Sequence, residues 1–451
     1  MLKKSLAALA AATALSNPLA LLAEGMAIAA VDDLTTIYRL AQHNDPSLQA
    51  AEANYRVSQE IRAQAVSQLF PQIVGSGSHS ETKKQDHLSS GVETREETTN
   101  YSVSLTQNIF NMPAVYAYRQ SGALAQQGEL QYAIDRQALI VRSAEAYFDV
   151  LRGGDNLASA VAEERAIAQQ LQQTQQRYDV GLIAVTEVHE ARAAHDLATA
   201  SRLTAEVELG IAKQMLSALT DRQHGALATL TADFPVAPPT PENIESWIDY
   251  TTEHNLSIQL AEQVARAAEH NVSVKKSAYL PTLQGRWMYS DYQQDSGSSG
   301  SLTRKSDRES NEVEVTLTVP IFSGGLRRAE QRQAGYERVR EQANLVATKR
   351  NALRQTRSSY LMAATDTAKA RARQQGITSA QSALQATQAG YDAGTRNIVD
   401  LLNAQRDLFR AERDYANTRY DYVINSLKLK AAAGILNEKD IDNLNRWLTA
   451  Q

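Results

Sequence analysis

Val313-Glu-Val-Thr-Leu-Thr-Val-Pro-Ile-Phe322 alternates strictly: Val313, Val315, Leu317, Val319 and Ile321 fall on one side, Glu314, Thr316 and Thr318 on the other. Tyr101-Ser-Val-Ser-Leu-Thr-Gln-Asn-Ile-Phe110 repeats the pattern, with Tyr101, Val103, Leu105 and Ile109 set against Ser102, Ser104, Thr106 and Asn108. A period of two is that of a β-strand with unlike faces. Leu283, Trp287 and Tyr289 alternate with Gln284, Arg286 and Ser290, and the stretch after Pro71 (Gln-Ile-Val-Gly-Ser-Gly-Ser) is a weaker fourth candidate. Segments of about ten residues, apolar outward and polar inward with aromatics near the ends, have the pattern of outer-membrane β-barrel strands. A half-buried antiparallel sheet in a soluble protein alternates in the same way. The strands alone leave both readings open.

The two strong strands are copies. Around them the whole chain is written twice: Leu34 to Gly75 lies over Ile244 to Gly285 at an offset of 210, and Tyr178-Asp-Val-Gly181 lies over Tyr391-Asp-Ala-Gly394 at 213. A unit of about 200 residues is too long for a solenoid repeat and reads as a duplicated half-molecule. The halves are assigned to 31–233 and 242–434, joined by the proline-rich connector Phe234-Pro-Val-Ala-Pro-Pro-Thr-Pro241, with 435–451 as a C-terminal tail.

Each half orders itself as helix, two strands, long helix, break, helix, helix. In the first half a helical pattern covers 34–69 and ends at Pro71, which lacks a donor. Helix resumes from Ala114 to about Leu151, is interrupted at Arg152-Gly153-Gly154-Asp155 with Asp155 as a plausible N-cap, and breaks again at Val180-Gly181-Leu182. The second half gives helix 244–279, strands near 283–292 and 313–322, helix 326–389, a turn at Ala393-Gly394-Thr395 and helix 397–432. If the pieces flanking Gly153 stack end to end, each half makes a rod of about 100 Å. Ile398, Leu401, Leu402, Leu408, Phe409, Tyr415, Tyr422 and Val423 recur at threes, fours and sevens, an amphipathic stripe of coiled-coil character.

Composition narrows the class. Apolar residues reach 43% but aromatics only 6%, with alanine abundant, which suits thin walls of small-residue helix contacts better than a thick core. Lys3 and Lys4, the Ala/Leu run from Leu6 to Leu22 and small residues at Ala27, Ala29 and Ala30 have the layout of a secretory signal peptide over 1–30, cleaved before Val31. With 0 cysteines there is no disulfide, zinc-thiolate or lipid-anchored cysteine to expect. A net charge of −5 gives no electrostatic case for nucleic acid.

Four strands cannot close a barrel, and an open edge cannot sit in lipid. A spanning sheet therefore demands oligomerisation. A dimer would give eight strands with a filled interior, a trimer twelve with a lumen. The polar segments Glu81–Asn100 and Tyr292–Asn311 then read as outward loops, with the rods directed into the periplasm.

Tyr391-Asp-Ala-Gly-Thr-Arg-Asn-Ile-Val-Asp400-Leu-Leu, with Tyr420-Asp-Tyr-Val-Ile-Asn-Ser-Leu427 and Gly434-Ile-Leu-Asn-Glu-Lys-Asp440, resembles the TolC family of outer-membrane efflux and secretion ducts over about residues 32–445. The resemblance implies an α+β membrane protein in the outer membrane of a Gram-negative bacterium. It implies a homotrimer whose 12-stranded β-barrel continues into a 12-helix coiled-coil periplasmic tunnel. It further implies docking to a periplasmic adaptor (membrane fusion) protein and an inner-membrane translocase of RND, ABC or MFS type, contact with outer-membrane lipid, no cofactor and no catalysed reaction.

By position, the same resemblance assigns Tyr391 to a link with Glu187 in one protomer, and Arg396 to links with Thr186 and Glu187 of its neighbour, together closing the periplasmic end. Asp400 is implied to ring the entrance, where Asn403 replaces a second family aspartate and weakens the expected cation block. Glu187 stands where a family aspartate would. The tips Val180, Gly181, Leu182, Ala393, Gly394 and Thr395 are implied adaptor contacts; their local reading is two helix C-caps.

Enzymatic signals are absent. His189-Glu190 with His195 lacks the four-residue spacing of a zincin. Gly324-Gly325 lacks the lysine of a phosphate loop. The competing function class is a periplasmic adaptor or structural coiled coil without a pore.

Overall fold

The computed structural model describes residues 31–85, 93–298 and 304–449. The expected signal peptide lies outside these residues, as do the middles of both expected loops. In chain order the elements are α1 (Leu34–Asn44), α2 (Pro46–Ser67), β1 (Gln72–Gln85), β2 (Glu93–Phe110), α3 (Met112–Asp179), α4 (Val185–Thr220) and β3 (Thr229–Leu230). The second copy follows with α5 (Ile244–His254), α6 (Leu256–Ser277), β4 (Thr282–Ser298), β5 (Arg304–Thr318), α7 (Leu326–Asp392) and α8 (Ile398–Ala433), and the chain closes with α9 (Glu438–Asn445) and β6 (Leu448–Thr449).

The first helical stretch of each half is two helices rather than one. Asp45 ends α1 and caps α2, its carboxylate accepting from the Ser47 amide at 3.1 Å, while Pro46 supplies a first-turn residue that needs no donor. Asn255 does the same for α5 and α6, accepting from the Ile258 amide at 3.1 Å. A capping side chain outcompetes helix continuation at that one residue.

The break expected at Arg152–Asp155 does not occur. α3 runs unbroken for 68 residues, about 100 Å. Its glycines serve packing. A Cβ on Gly153 would lie 3.1 Å from the Cα of Leu209, so this glycine lets α3 and α4 approach closely. Asp155 is not a cap; it accepts a 2.7 Å hydrogen bond from the Tyr420 hydroxyl of α8, and Arg152 donates to Asp421 at 2.7 Å. Burial, with the Asp155 carboxylate beside it, pushes the Tyr420 hydroxyl far above its ordinary pKa.

Strands β1, β2, β4 and β5 form one antiparallel sheet in the order β1-β2-β4-β5, so β2–β4 pairing joins the two halves. The register puts Ile73, Leu105, Trp287 and Val313 in one cross-strand row. Ser76, Ser102, Ser290 and Ser310 form another on the opposite face, with 2.7 Å and 2.8 Å hydroxyl contacts within its outer pairs. One face is thus apolar and the other polar, as the alternation requires.

The strands are longer than expected and take in much of both segments read as loops. Their charged ends still pair: Glu81, Glu97, Asp295 and Lys305 share a row, with Arg95 2.9 Å from Glu81 and Lys305 3.2 Å from Asp295. Backbone pairing persists where apolar alternation stops, because the ladder itself does not depend on side-chain polarity. At the other end β5 stops at Thr318, short of the expected Phe322, since Pro320 cannot donate to a ladder.

The long helices form one layer, and the short elements α1, α5, α9 and the β3–β6 pair pack on it as a collar. Leu34, Ile37, Tyr147, Phe148, Leu216, Val423, Leu427 and Ile441 make its main core. Asp32 and His224 pin the chain's start to that core through a 2.7 Å contact in which both side chains are buried. Asp33 caps α1, accepting from the Thr36 amide at 2.8 Å; burial opposes its ionisation, but hydrogen bonds from Thr36 and Asn445 prevail and lower its pKa. That stabilisation is present above the usual carboxylate range and is lost as pH falls through the depressed value. Small residues dominate the helix contacts: Ala144, Ala191, Ala363 and Ala433 are fully buried.

Two neighbouring glycines therefore separate two roles. Gly153→Leu is expected to destabilise by about 1–3 kcal/mol through overpacking against α4. Gly154→Ala, where an added Cβ meets nothing, should be neutral or stabilising by up to about 1 kcal/mol. Denaturant unfolding followed by helical circular dichroism checks both.

Candidate functional site

Both long hairpins end in the same turn. Gly181 has φ +78° and Gly394 φ +75°, a backbone region that favours glycine. Leu182 donates to the Arg177 carbonyl at 2.9 Å and Gly181 to Tyr178 at 2.8 Å; Thr395 donates to Gly390 at 2.8 Å and Gly394 to Tyr391 at 3.0 Å. This is the paired closure of a Schellman motif, made twice from duplicated sequence. Val180 and Leu182 project into solvent, each 70% exposed. Ala393 and Thr395 are exposed as well.

Behind the turns the hairpins meet in a small apolar cluster of Ile167, Ala191, Ala198, Tyr391, Ile398, Leu401 and Leu402. Tyr391 is buried there, with the Arg177 guanidinium 4.8 Å from its ring centroid. Its hydroxyl is enclosed and makes no hydrogen bond among the described residues. The link expected from Tyr391 to Glu187 within one chain is therefore not formed. Packing beneath Arg177 turns the ring inward.

Glu187 instead occupies the third position of α4, where a carboxylate meets the positive end of the helix. Asp400 occupies the third position of α8, and its amide donates to the capping Asn397 at 2.8 Å. The two acids are equivalents of the duplication, 213 residues apart. Sequence reading gave them separate roles, although that offset already paired them.

Arg396 lies 3.6 Å from Asp400, with the two side chains 62% and 39% exposed. Such a solvated pair contributes about 0–1 kcal/mol. Gly390 makes room for it: a Cβ there would come 2.8 Å from the Arg396 Cγ. Asn403 accepts from Arg406 at 2.7 Å, so the Asn403 side chain is already engaged. Thr186 is exposed beside Glu187.

Sequence reasoning missed a groove of about 460 Å³ between α3, α4 and α8, lined by Glu163, Glu190, Leu197, Leu402, Asn403 and Arg406. Burial raises the Glu163 pKa, against the pull of Arg413 and Arg406. No local motif announces this groove, because it forms only where α8 of the second half meets α3 and α4 of the first.

Hairpins sealed by paired glycine turns, set below a sheet with one apolar face, match known proteins along nearly the whole length. The family model for outer membrane efflux proteins covers residues 37–221 and 247–435, one block in each half. The chain belongs to the outer membrane efflux protein family. It is 33% identical to outer membrane protein TolC of Vibrio cholerae over 92% of this chain and 94% of that one. It is 29% identical to the alkaline protease secretion protein AprF of Pseudomonas aeruginosa, over 90% and 85% respectively. The fold is that of the Campylobacter jejuni CmeC outer membrane channel, with TM-score 0.74 at 18% identity, covering 92% of this chain and 90% of that one.

The sheet therefore belongs to the outer membrane and the long helices to the periplasm. Members of this family are channels, and the poreless adaptor reading is set aside. No helix among the described residues is long and apolar enough to cross a membrane.

The two tips differ in their second caps. Asn397→Ala should cost about 1 kcal/mol by removing a cap from α8, whereas Ala184→Asn, at an uncapped position of extended backbone, should gain a comparable amount. Gly181→Ala and Gly394→Ala should each cost about 1–2 kcal/mol. Amide hydrogen exchange in the first turns of α4 and α8 measures all four locally.

Proposed function

We propose that three copies of this chain close a 12-stranded barrel above a 12-helix tunnel, forming a duct that opens on docking to an adaptor and an inner-membrane translocase. The carrying observation is the state of the sheet edges. Within the chain β1 and β5 each pair on one side only, yet their apolar residues continue the lipid-compatible face: Ile73 at one edge, Val313, Val315 and Leu317 at the other. Unpaired edges are not tolerated in hydrocarbon. β5 of one copy against β1 of the next removes both, and eight strands would leave no lumen.

The helical layer supports the same closure. Leu203, Val207, Ile211 and Met215 of α4, and Tyr336, Val339, Val346 and Leu361 of α7, are exposed apolar side chains on the outermost helices of the wall. Neighbouring copies would cover them. The polar face of the sheet, with its serine row, would then line water.

Cargo is read from the relatives. An efflux family model and a protease secretion relative support export of both small toxic molecules and proteins. The work is supplied by the translocase, so no residue of this chain is assigned a catalytic role. At the periplasmic end, Arg396 is placed to exchange its weak intrachain contact with Asp400 for Thr186 and Glu187 of a neighbour. Tyr391 would reach Glu187 only after leaving its buried seat. Exposed links of this kind are individually weak, and threefold repetition lets their sum hold a closed state that adaptor binding can reverse. The apolar tips Val180 and Leu182, with Ala393 and Thr395, offer the adaptor its contact. Asp400 and its equivalent Glu187 supply the charge at the entrance.

Single-channel recording tests this reading. Arg396→Ser should raise the conductance of the purified channel several-fold if the links hold it closed; unchanged conductance removes Arg396 from the closure. Asn403→Asp should strengthen block by a trivalent cation, and equal block in both proteins ends the charge-ring assignment. Deleting the gene should sensitise cells to toxic small molecules and reduce secreted protein; no change in either would overturn the duct.

A further inference from the structure

Below the sheet, α2, α3 and α6 enclose a groove of about 650 Å³ that the duct reading does not use. Its lining includes Arg62 of α2, Arg119 of α3, and Arg266 and His270 of α6, against a single carboxylate, Glu129. None of the three guanidinium groups lies within salt-bridge distance of a carboxylate among the described residues, so their charge is not neutralised within the groove. Two are held by tyrosines instead. Arg62 donates to the Tyr118 hydroxyl at 3.1 Å and lies over that ring at 5.6 Å; Arg119 lies over the Tyr116 ring at 5.3 Å. Stacking on an aromatic fixes a guanidinium while leaving its donors free.

The groove's level and direction identify its surroundings. Arg62, Arg119 and His270 lie five to seven residues from the membrane-side ends of their helices, Ser67, Met112 and Ser277. That is about 8–11 Å along the axes. Exposed Phe70, Phe110, Tyr279 and Phe322 gather at those helix–strand junctions, as aromatic girdles do at a bilayer interface. The head-group layer is about 5–7 Å thick on each side, within reach of an arginine side chain extended toward it. Along α3, Arg119 and Gln126 recur at heptad spacing with Ile140 and Tyr147, which pack in the core shared with the collar. A collar of short helices has no room inside a tunnel, so this face of α3 is the outer one.

We propose that this groove binds the phosphate of an anionic phospholipid head group from the periplasmic leaflet, Arg62, Arg119 and Arg266 supplying the charge-assisted donors. Three guanidinium groups, two of them held by tyrosines, with one opposing carboxylate suit a phosphodiester oxygen set, and the volume lies in the range of roughly 300–1000 Å³ that holds small organic ligands. The site would anchor the wall at a fixed depth. It rests on the duct reading for the position of the bilayer and for which face of the wall is the outer one; the groove and its charges do not depend on it.

Native mass spectrometry of the detergent-solubilised full chain, titrated with phosphatidylglycerol or with zwitterionic phosphatidylcholine, tests the proposal. The wild type should retain phosphatidylglycerol in preference. A triple Arg62→Gln, Arg119→Gln, Arg266→Gln variant should bind it about a hundredfold more weakly. Gly122→Leu, which fills the groove without changing charge, should reduce binding as well. Inorganic phosphate is the second probe: if it competes fully at concentrations comparable to the lipid, the phosphate site stands and the lipid assignment falls. Equal lipid retention by wild type and triple variant overturns the site. Oligomer mass and single-channel conductance, read on the same samples, report separately on the duct.

Discussion

Two unfinished hydrogen-bond ladders govern this molecule. β1 and β5 end the sheet with a row of backbone donors and acceptors each, in a segment whose outer face is apolar. In water such an edge is a liability; in hydrocarbon it is untenable. Everything else can be read as making the completion of those ladders by identical copies possible. The halves must present equivalent strands at both edges, and the helices below must pack side by side at the same angular spacing as the strands above.

Duplication meets that demand economically. β2 pairs with β4 across the two halves, so each protomer already contains the kind of junction that neighbouring copies would make. The same economy explains the alanine-rich wall. Contacts through Ala144, Ala191 and Ala363, with Gly153 against Leu209, keep the helices close enough for a thin layer. The bulky core is relegated to the collar, where Tyr147, Phe148 and Tyr420 tie short elements onto the long ones. The bulky side chains of the collar are buried, while at the hairpin ends the apolar cluster is small and the Arg396–Asp400 pair is solvated.

That division has a functional logic. The tips combine a rigid element, the doubled glycine turn, with a solvated ion pair, Arg396–Asp400. A closure held by buried ion pairs would cost several kcal/mol to break. One held by contacts as exposed as the intrachain Arg396–Asp400 pair would be reversible by the binding energy of another protein. Tyr391 differs from its neighbours here. Its ring lies under Arg177 and its buried hydroxyl has no hydrogen-bond partner among the described residues.

Period-two alternation at Tyr101–Phe110 and Val313–Phe322, the 210-to-213 offset and the helix-length patterns were enough to derive strands, rods, duplication and the need for more than one copy. These are local or self-comparing signals, and one chain carries them in full. The turns at Gly181 and Gly394 were legible for the same reason. Three features were not. The continuity of α3 through Gly153 depends on Leu209 arriving alongside it, the length of the strands on a partner ladder continuing past the apolar band, and the buried setting of Tyr391 on Arg177 and α8. Glycine reads as a break until the neighbouring helix that needs the space is in place, and a polar run reads as loop until its backbone finds a pair. Those outcomes are set by contacts between segments distant in sequence, and only the folded chain contains them.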